Sequence, residues 1–282
     1  MQLVSVGGYT KPREGGADYW ASQKDNLVEL YVNQKLSSNV IGRQYYHCWG
    51  STILDALKRL DIPIRHSPDG ERANALYQVD EHFFDTIDSE EKAYILGFFL
   101  ADGHISSKGN LMFGIHERDQ DILEQIKAAM HAEHPIHSHS WKRTLTITAK
   151  RITERLLEFG FTNHKTFDTD IHTVLPFVPQ ELLRHFVRGM FDGDGSIQIY
   201  YYDYFKHPSY HFGYTGLLNV VNYIKAFCGL HTKLADEGNG IFTCVSSCYA
   251  DICRIGHLLY DDATIYCHRK RNTFLEIYQH KK

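Results

Sequence analysis

Two stretches of this sequence are copies of one design, and a chain that carries both has few ways to fold. The first is Ala93-Tyr94-Ile95-Leu96-Gly97-Phe98-Phe99-Leu100-Ala101-Asp102-Gly103; the second is Phe186-Val187-Arg188-Gly189-Met190-Phe191-Asp192-Gly193-Asp194-Gly195-Ser196. Each reads as an apolar helical run with a glycine in its middle and Asp-Gly at its end. A mid-helix glycine costs about 1 kcal/mol relative to alanine. That cost is reasonable if two helices approach closely at Gly97 and Gly189. Asp88 and Glu91 form a candidate capping box before the first run, and Pro179 suits the first turn of the second. Gly103 and Gly195 suit helix exits.

The final aspartates, Asp102 and Asp194, are 92 residues apart. Each falls at the carboxyl end of its helix, where the macrodipole is already negative and a carboxylate is disfavoured. A divalent cation reverses that preference. If the two helices pair, the two acids meet at one end. Carboxylates gathered around hard cations are what in-line phosphoryl chemistry requires.

These residues resemble the LAGLIDADG homing endonucleases. The nine-position motif of that family corresponds to Ile95–Gly103 and Val187–Gly195. The second copy is close; the first has Leu100 where the family usually has an acid at position six. The resemblance implies Asp102 and Asp194 as catalytic, metal-binding acids, with Ala101 and Gly193 beside them in the metal site. It implies Mg²⁺, with Mn²⁺ able to substitute, and cleavage of one phosphodiester on each strand of a double-stranded DNA target. Lys165 and Lys270 stand where the family carries basic-pocket lysines. The implied protein is a monomer belonging to a mobile genetic element. A non-cleaving DNA-binding regulator and an RNA maturase are the alternative readings; retention of both acids favours cleavage.

The rest of the chain repeats one order of elements. After the first motif, 104–107 and 111–116 read as a hairpin, 121–131 as a helix, 141–150 as a strand and 151–159 as a helix closed by Gly160. In the strand, Leu145, Ile147 and Ala149 point one way; Lys142, Thr144, Thr146, Thr148 and Lys150 point the other. A basic, hydroxyl-rich strand face suits a DNA groove. After the second motif, Ser196, Gln198, Tyr200 and Tyr202 share one face of a strand over 196–204. Strands near 211–215, 231–235 and 241–246 follow, with helices over 217–227 and 249–260. The fold expected is α+β: two pseudo-symmetric αββαββα halves forming a DNA-binding saddle, residues 86–175 and 176–282, within a domain of residues 86–282.

Residues 1–66 read as a separate all-α module and 67–85 as a linker containing the turn Ser67-Pro68-Asp69-Gly70. The pattern is helical over 23–65, with one helix marked by Leu27, Leu30 and Tyr31, others expected over 39–45 and 51–60, and a turn at His47 and Cys48. That pattern resembles a helix-turn-helix. Arg43, Ser51, Thr52, Lys58 and Arg59 are its candidate DNA contacts.

Composition adds bounds. The formal net charge is −4, so any nucleic-acid contact depends on local charge. Residues 140–155 carry five basic side chains and one acidic, as do residues 265–282. No signal peptide and no membrane-length apolar run is evident, and six cysteines without paired C-x-x-C spacing read as buried thiols in a reducing, cytoplasmic setting. His131, His134, His137 and His139 read as a polar DNA-contacting loop.

Overall fold

A computed structural model describes residues 4–6, 9–11, 16–64, 77–162, 170–203 and 207–280. The chain divides into two units, Met1–Gln78 and Val79–Lys282.

The first unit opens with an antiparallel pair, β1 (Val4–Val6) and β2 (Tyr9–Lys11), so it is not all-α as expected. Helices α1 (Gly16–Ser22), α2 (Lys24–Val28), α3 (Ser38–Ile41) and α4 (Gly50–Arg59) follow. Wider π turns, Glu29–Asn33 and Gly42–Tyr46, extend α2 and α3. Ser37 caps α3 by accepting from the Val40 amide. His47, in the left-handed region (φ 50°), ends the second helical stretch. Trp20, Leu27, Leu30, Tyr31, Ile41, Ile53 and Leu57 form part of the unit's own core. Gly42 and Gly50 let the short helices meet: a Cβ on Gly42 would lie 2.5 Å from the Cys48 carbonyl oxygen.

The second unit contains two copies of one arrangement. The first copy is α5 (Glu90–Asp102), β3 (Gly103–Ile105), β4 (Leu111–His116), α6 (Asp121–Ala129), β5 (Ile136–His139), β6 (Lys142–Ile147) and α7 (Lys150–Glu158). After the short helix α8 (Ile171–Val174) comes the second: α9 (Leu183–Asp194), β7 (Gly195–Tyr200), β8 (Ser209–Leu217), α10 (Leu218–Phe227), β9 (Ala235–Gly238), β10 (Ile241–Ser246) and α11 (Tyr249–Tyr260). A last helix, α12 (His268–Gln279), has no counterpart in the expected pattern. Each sheet is antiparallel, in the orders β3-β4-β6-β5 and β7-β8-β10-β9. The expected α+β architecture with two αββαββα halves is what the chain forms.

Both motif helices are central. Residues 93–100 of α5 and 185–192 of α9 are buried without a break, so neither helix has a solvent face along these turns. They lie side by side and parallel. A Cβ on Gly97 would sit 2.0 Å from the Phe186 carbonyl oxygen, and one on Gly189 would sit 2.0 Å from that of Tyr94. The contacts are reciprocal, since each motif's third residue meets the carbonyl just before the other motif. Gly193 and Ala101, the two seventh residues, meet on the pseudo-twofold axis, where a Cβ on Gly193 would be 2.3 Å from that of Ala101. We expect Gly97→Ala or Gly189→Ala to lower unfolding stability by about 2–3 kcal/mol, because the helices must separate to admit a methyl group. Urea denaturation of each variant measures this; an unchanged midpoint would mean that the backbones do not touch.

Several local expectations need correction. The N-cap of α5 is Ser89, which accepts from the Lys92 amide; Asp88 instead pairs with the Lys92 ammonium at 2.7 Å. A 3₁₀ turn, Gln180–Leu182, follows Pro179, so α9 begins at Leu183. Gly103 and Gly195 leave their helices extended (φ −87° and −80°), not left-handed. Glycine is needed there because a Cβ would meet the rings of Phe99 and Phe191 at 1.9 and 2.1 Å. The end of the supposed linker belongs to the second unit, with Phe83 and Phe84 in its core and the Asp80 amide donating to the Met130 carbonyl. Of the histidine-rich segment, Ile136–His139 is strand β5 and carries His137 and His139, and β9 starts four residues later than expected. The cysteines are free, with Cys48, Cys228, Cys244 and Cys267 buried. Among the described residues no helix is long and apolar enough to cross a membrane.

Candidate active site

The parallel packing of α5 and α9 brings their carboxyl ends together, so Asp102 and Asp194 leave the helix pair at the same end. Asp102 is partly exposed and Asp194 exposed. The Asp102 carboxylate leans toward the axis: its Oδ2 lies 3.3 Å from where a Cβ on Gly193 would be. Both charges reach one buried phenol. Tyr214, on β8 opposite Gly195, is pushed well above the usual tyrosine range, first by burial and then by Asp194 and Asp102. Two helix carboxyl ends and two carboxylates make a strongly negative focus. Oxygen donors without nitrogen or sulfur fit a hard divalent cation. Among the described residues no group of three or more His, Cys, Asp and Glu gathers as a metal site, the histidines of 131–139 included.

Beneath this focus lies a buried polar network that the sequence reading did not assemble. Asp192, sixth in the second motif, accepts from Tyr94 Oη at 2.9 Å, Tyr260 Oη at 2.5 Å and the Cys267 amide at 2.7 Å. Burial raises its carboxyl above the ordinary range, while Lys270 and these three donors oppose the rise. Lys270, on α12, is itself buried, and its ammonium donates to the carbonyls of Phe191, Asp192, Gly193 and Gly195. Burial lowers its proton affinity and the Asp192 charge opposes that. In the first motif the corresponding residue is Leu100, buried without polar chemistry.

A second network holds the amino ends. Arg188 is fully buried; its guanidinium donates to Glu90 at 2.6 Å and to the carbonyls of Ile265 and Leu259 at 3.0 and 2.9 Å, and it contacts His185 Nδ1 at 2.9 Å. Glu90 also accepts from the Thr264 amide at 2.7 Å. An arginine inside an otherwise apolar helical run was the available signal; its partners are 98 and 71–77 residues away in sequence.

Comparison with solved structures shows a likeness of fold. The crystal structure of the LAGLIDADG homing endonuclease I-GzeII in complex with its DNA target matches with a TM-score of 0.50 and 15% identity, over 66% of this chain and 88% of that one. The meganuclease I-SmaMI bound to uncleavable DNA matches at a TM-score of 0.47 and 13% identity, over 68% of this chain and 90% of that one. The chain has the LAGLIDADG homing endonuclease fold. No family model and no curated protein matches its sequence.

In the LAGLIDADG arrangement of this chain, the sheet residues singled out from sequence fall as follows. Lys142, Thr144 and Thr146 share the uncovered face of β6, with Leu145 and Ile147 buried behind. Lys142 lies across Gly114 on β4, where a Cβ would meet its Cε at 2.7 Å. Thr148 follows the strand. Lys150 is not on it: it opens α7, is 83% exposed and lies 3.7 Å from Glu154. The strand ends early because the next residues form an amphipathic helix with Ile152 and Leu156 inward. Ser196, Gln198 and Tyr200 alternate on β7, and Tyr202, beyond the strand end, stacks on Tyr200 at 6.3 Å. In the first unit, Arg43, Ser51, Lys58 and Arg59 are exposed and Thr52 is half-buried. Lys165 lies outside the described residues.

Proposed function

We propose that the chain is a site-specific DNA endonuclease that hydrolyses one phosphodiester on each strand of a duplex. The observation that carries this reading is the meeting of Asp102 and Asp194 at the joint carboxyl end of two parallel, backbone-packed helices. The DNA-bound state of I-GzeII, which shares the fold, supports duplex DNA as the substrate. Asp102 and Asp194 would hold divalent cations, with Ala101 and Gly193 beside them in the chain. Mg²⁺ bound there, or Mn²⁺ in its place, supplies Lewis-acid polarisation of phosphate oxygens and a more acidic bound water. The carboxylates fix where that chemistry occurs, and Lys165 remains a candidate for contact to the scissile phosphate. Incubating the protein with a randomised duplex library and Mg²⁺, then sequencing the cut ends, tests the reading. A single enriched site with breaks on both strands supports it, and intact DNA at every metal concentration overturns it.

The uncovered sheet faces are read as the DNA surface. On the first, Lys142, Thr144 and Thr146 are the contacts; on the second, Ser196, Gln198, Tyr200 and Tyr202. Phosphate contacts set register and side chains at base edges read sequence. Lys142→Ala should therefore reduce the magnitude of the salt slope of binding by about 0.9, one phosphate contact. Binding isotherms across a range of KCl measure this, and an unchanged slope would remove Lys142 from the backbone contacts.

The first unit is read as a helix-turn-helix that binds DNA beside the cleavage site through Arg43, Ser51, Thr52, Lys58 and Arg59. Among the described residues, the buried apolar residues of the second unit's core run from Phe83 to Ile277. A chain beginning at Val79 should therefore fold and cut, with lower affinity and a shorter footprint. Footprinting both proteins on one target decides it: equal footprints would mean that the first unit serves another partner.

A further inference from the structure

Lys270 is the third residue of α12 and is 2% exposed. Its ammonium has three protons and faces four carbonyl oxygens, those of Phe191 at 2.6 Å, Asp192 at 2.8 Å, Gly193 at 3.3 Å and Gly195 at 2.6 Å. The Phe191 ring closes the remaining side at 5.1 Å. These carbonyls are the last turn of α9 and its exit, and they bracket Asp194. Every proton of the ammonium is thus committed to the main chain that carries the acid. Reaching a phosphate would require Lys270 to release the very turn that sets the position of Asp194. We infer that Lys270 is a positioning residue for Asp194, a cation built into the carboxyl end of α9, and does not contact the scissile phosphate. This rests on the endonuclease reading.

Two physical effects support the assignment. A cation at a helix carboxyl end offsets the partial charge of the unpaired carbonyls. It also neutralises Asp192, whose carboxylate would otherwise be a buried charge held only by neutral donors. The grip is specific to one helix. Asp192 is clasped by Tyr94, Tyr260 and the Cys267 amide, whereas the equivalent residue of α5 is the apolar Leu100. Loss of Lys270 should therefore disturb the Asp194 side of the site more than the Asp102 side, and the two DNA strands unequally.

The test compares wild type with Lys270→Met, Lys270→Arg and the charge-balanced pair Asp192→Asn/Lys270→Met, which removes both buried charges and keeps one of the two oxygen acceptors. Ca²⁺ is titrated calorimetrically into each protein bound to uncut target, and cleavage of each strand is followed on a doubly labelled duplex with Mg²⁺. For Lys270→Met, Ca²⁺ affinity should fall by about tenfold or more. One strand should slow about tenfold more than the other, so that nicked duplex accumulates, while metal-free DNA affinity is unchanged. Arginine should not rescue, because a planar guanidinium does not match four carbonyls converging on one point. If the single variant does not fold, the paired variant should show the same Ca²⁺ defect and strand bias. Unchanged Ca²⁺ affinity in the folded variants, or full rescue by arginine, would overturn the inference in favour of a phosphate contact. A wild-type chain that binds DNA nowhere would overturn the endonuclease reading and this inference with it.

Discussion

Asp194→Asn is expected to reduce double-strand cleavage by about 10³-fold, the scale of losing one essential charge-stabilising group, and Asp102→Asn should do the same. Affinity for uncut DNA in metal-free buffer should stay within about twofold, because neither acid lies on the sheet faces proposed to contact DNA. Folding stability supplies the sharper readout. Asparagine keeps the shape of aspartate and removes a negative charge from the negative end of a helix. Both variants should therefore be as stable as wild type, or more stable by about 0.3–1 kcal/mol. If the acids served only to end their helices, the variants would lose stability and keep activity. Full cutting by Asp194→Asn would sink the metal-site assignment, whatever its melting temperature.

The largest stability loss is expected at Arg188. Arg188→Met leaves the Glu90 carboxylate without its guanidinium and removes the donors to the Ile265 and Leu259 carbonyls. Breaking a buried ion pair by removing one partner costs about 3–5 kcal/mol. Methionine fills the apolar volume, so the loss measures the polar network and not a cavity. Urea titration monitored by fluorescence gives the value. A loss below about 1 kcal/mol would mean that water satisfies Glu90 and the carbonyls, and that the network is wetter than its burial implies. The Glu90→Gln variant, which keeps an acceptor, should lose less.

What the sequence made legible followed from short-range rules. Apolar runs with central glycines identified the motif helices, and Asp-Gly at their ends identified the acids. Alternation around Leu145 and Ile147 identified β6 and its uncovered face. The failures also have physical causes. Lys150 continues the alternation of the strand, but Lys150–Glu158 satisfies a helical period as well, and the helix buries Ile152 and Leu156. The histidines of 136–139 lack any apolar alternation, because β5 is an edge strand with a burial pattern that is open on nearly every residue. Strand status there comes from pairing with β6, which local sequence does not encode. The cap of α5 was misplaced by one residue because Asp88 and Ser89 are both good caps. Lys270 was visible as a lysine in the right region. Its burial was not, since that depends on α12 crossing the end of α9. The Arg188 and Asp192 networks join residues roughly 70–100 positions apart, beyond any local pattern.

The reciprocal glycine contacts between α5 and α9 have a consequence for modularity. The spacing of the two acids is set where main chain meets main chain, at Gly97 against Phe186 and at Gly189 against Tyr94. The outward-facing side chains of the sheets are not among the atoms that meet at these glycines. Each half can therefore diverge in the surface it presents, or be exchanged for the half of another chain of this fold, provided the seam of small residues is kept. A recombinant made by swapping residues 79–162 between two such proteins should inherit its cutting geometry from the seam and its sequence preference from the graft. Evolution by shuffling halves is open to such a molecule in a way that it is not to a site assembled from interlocking side chains.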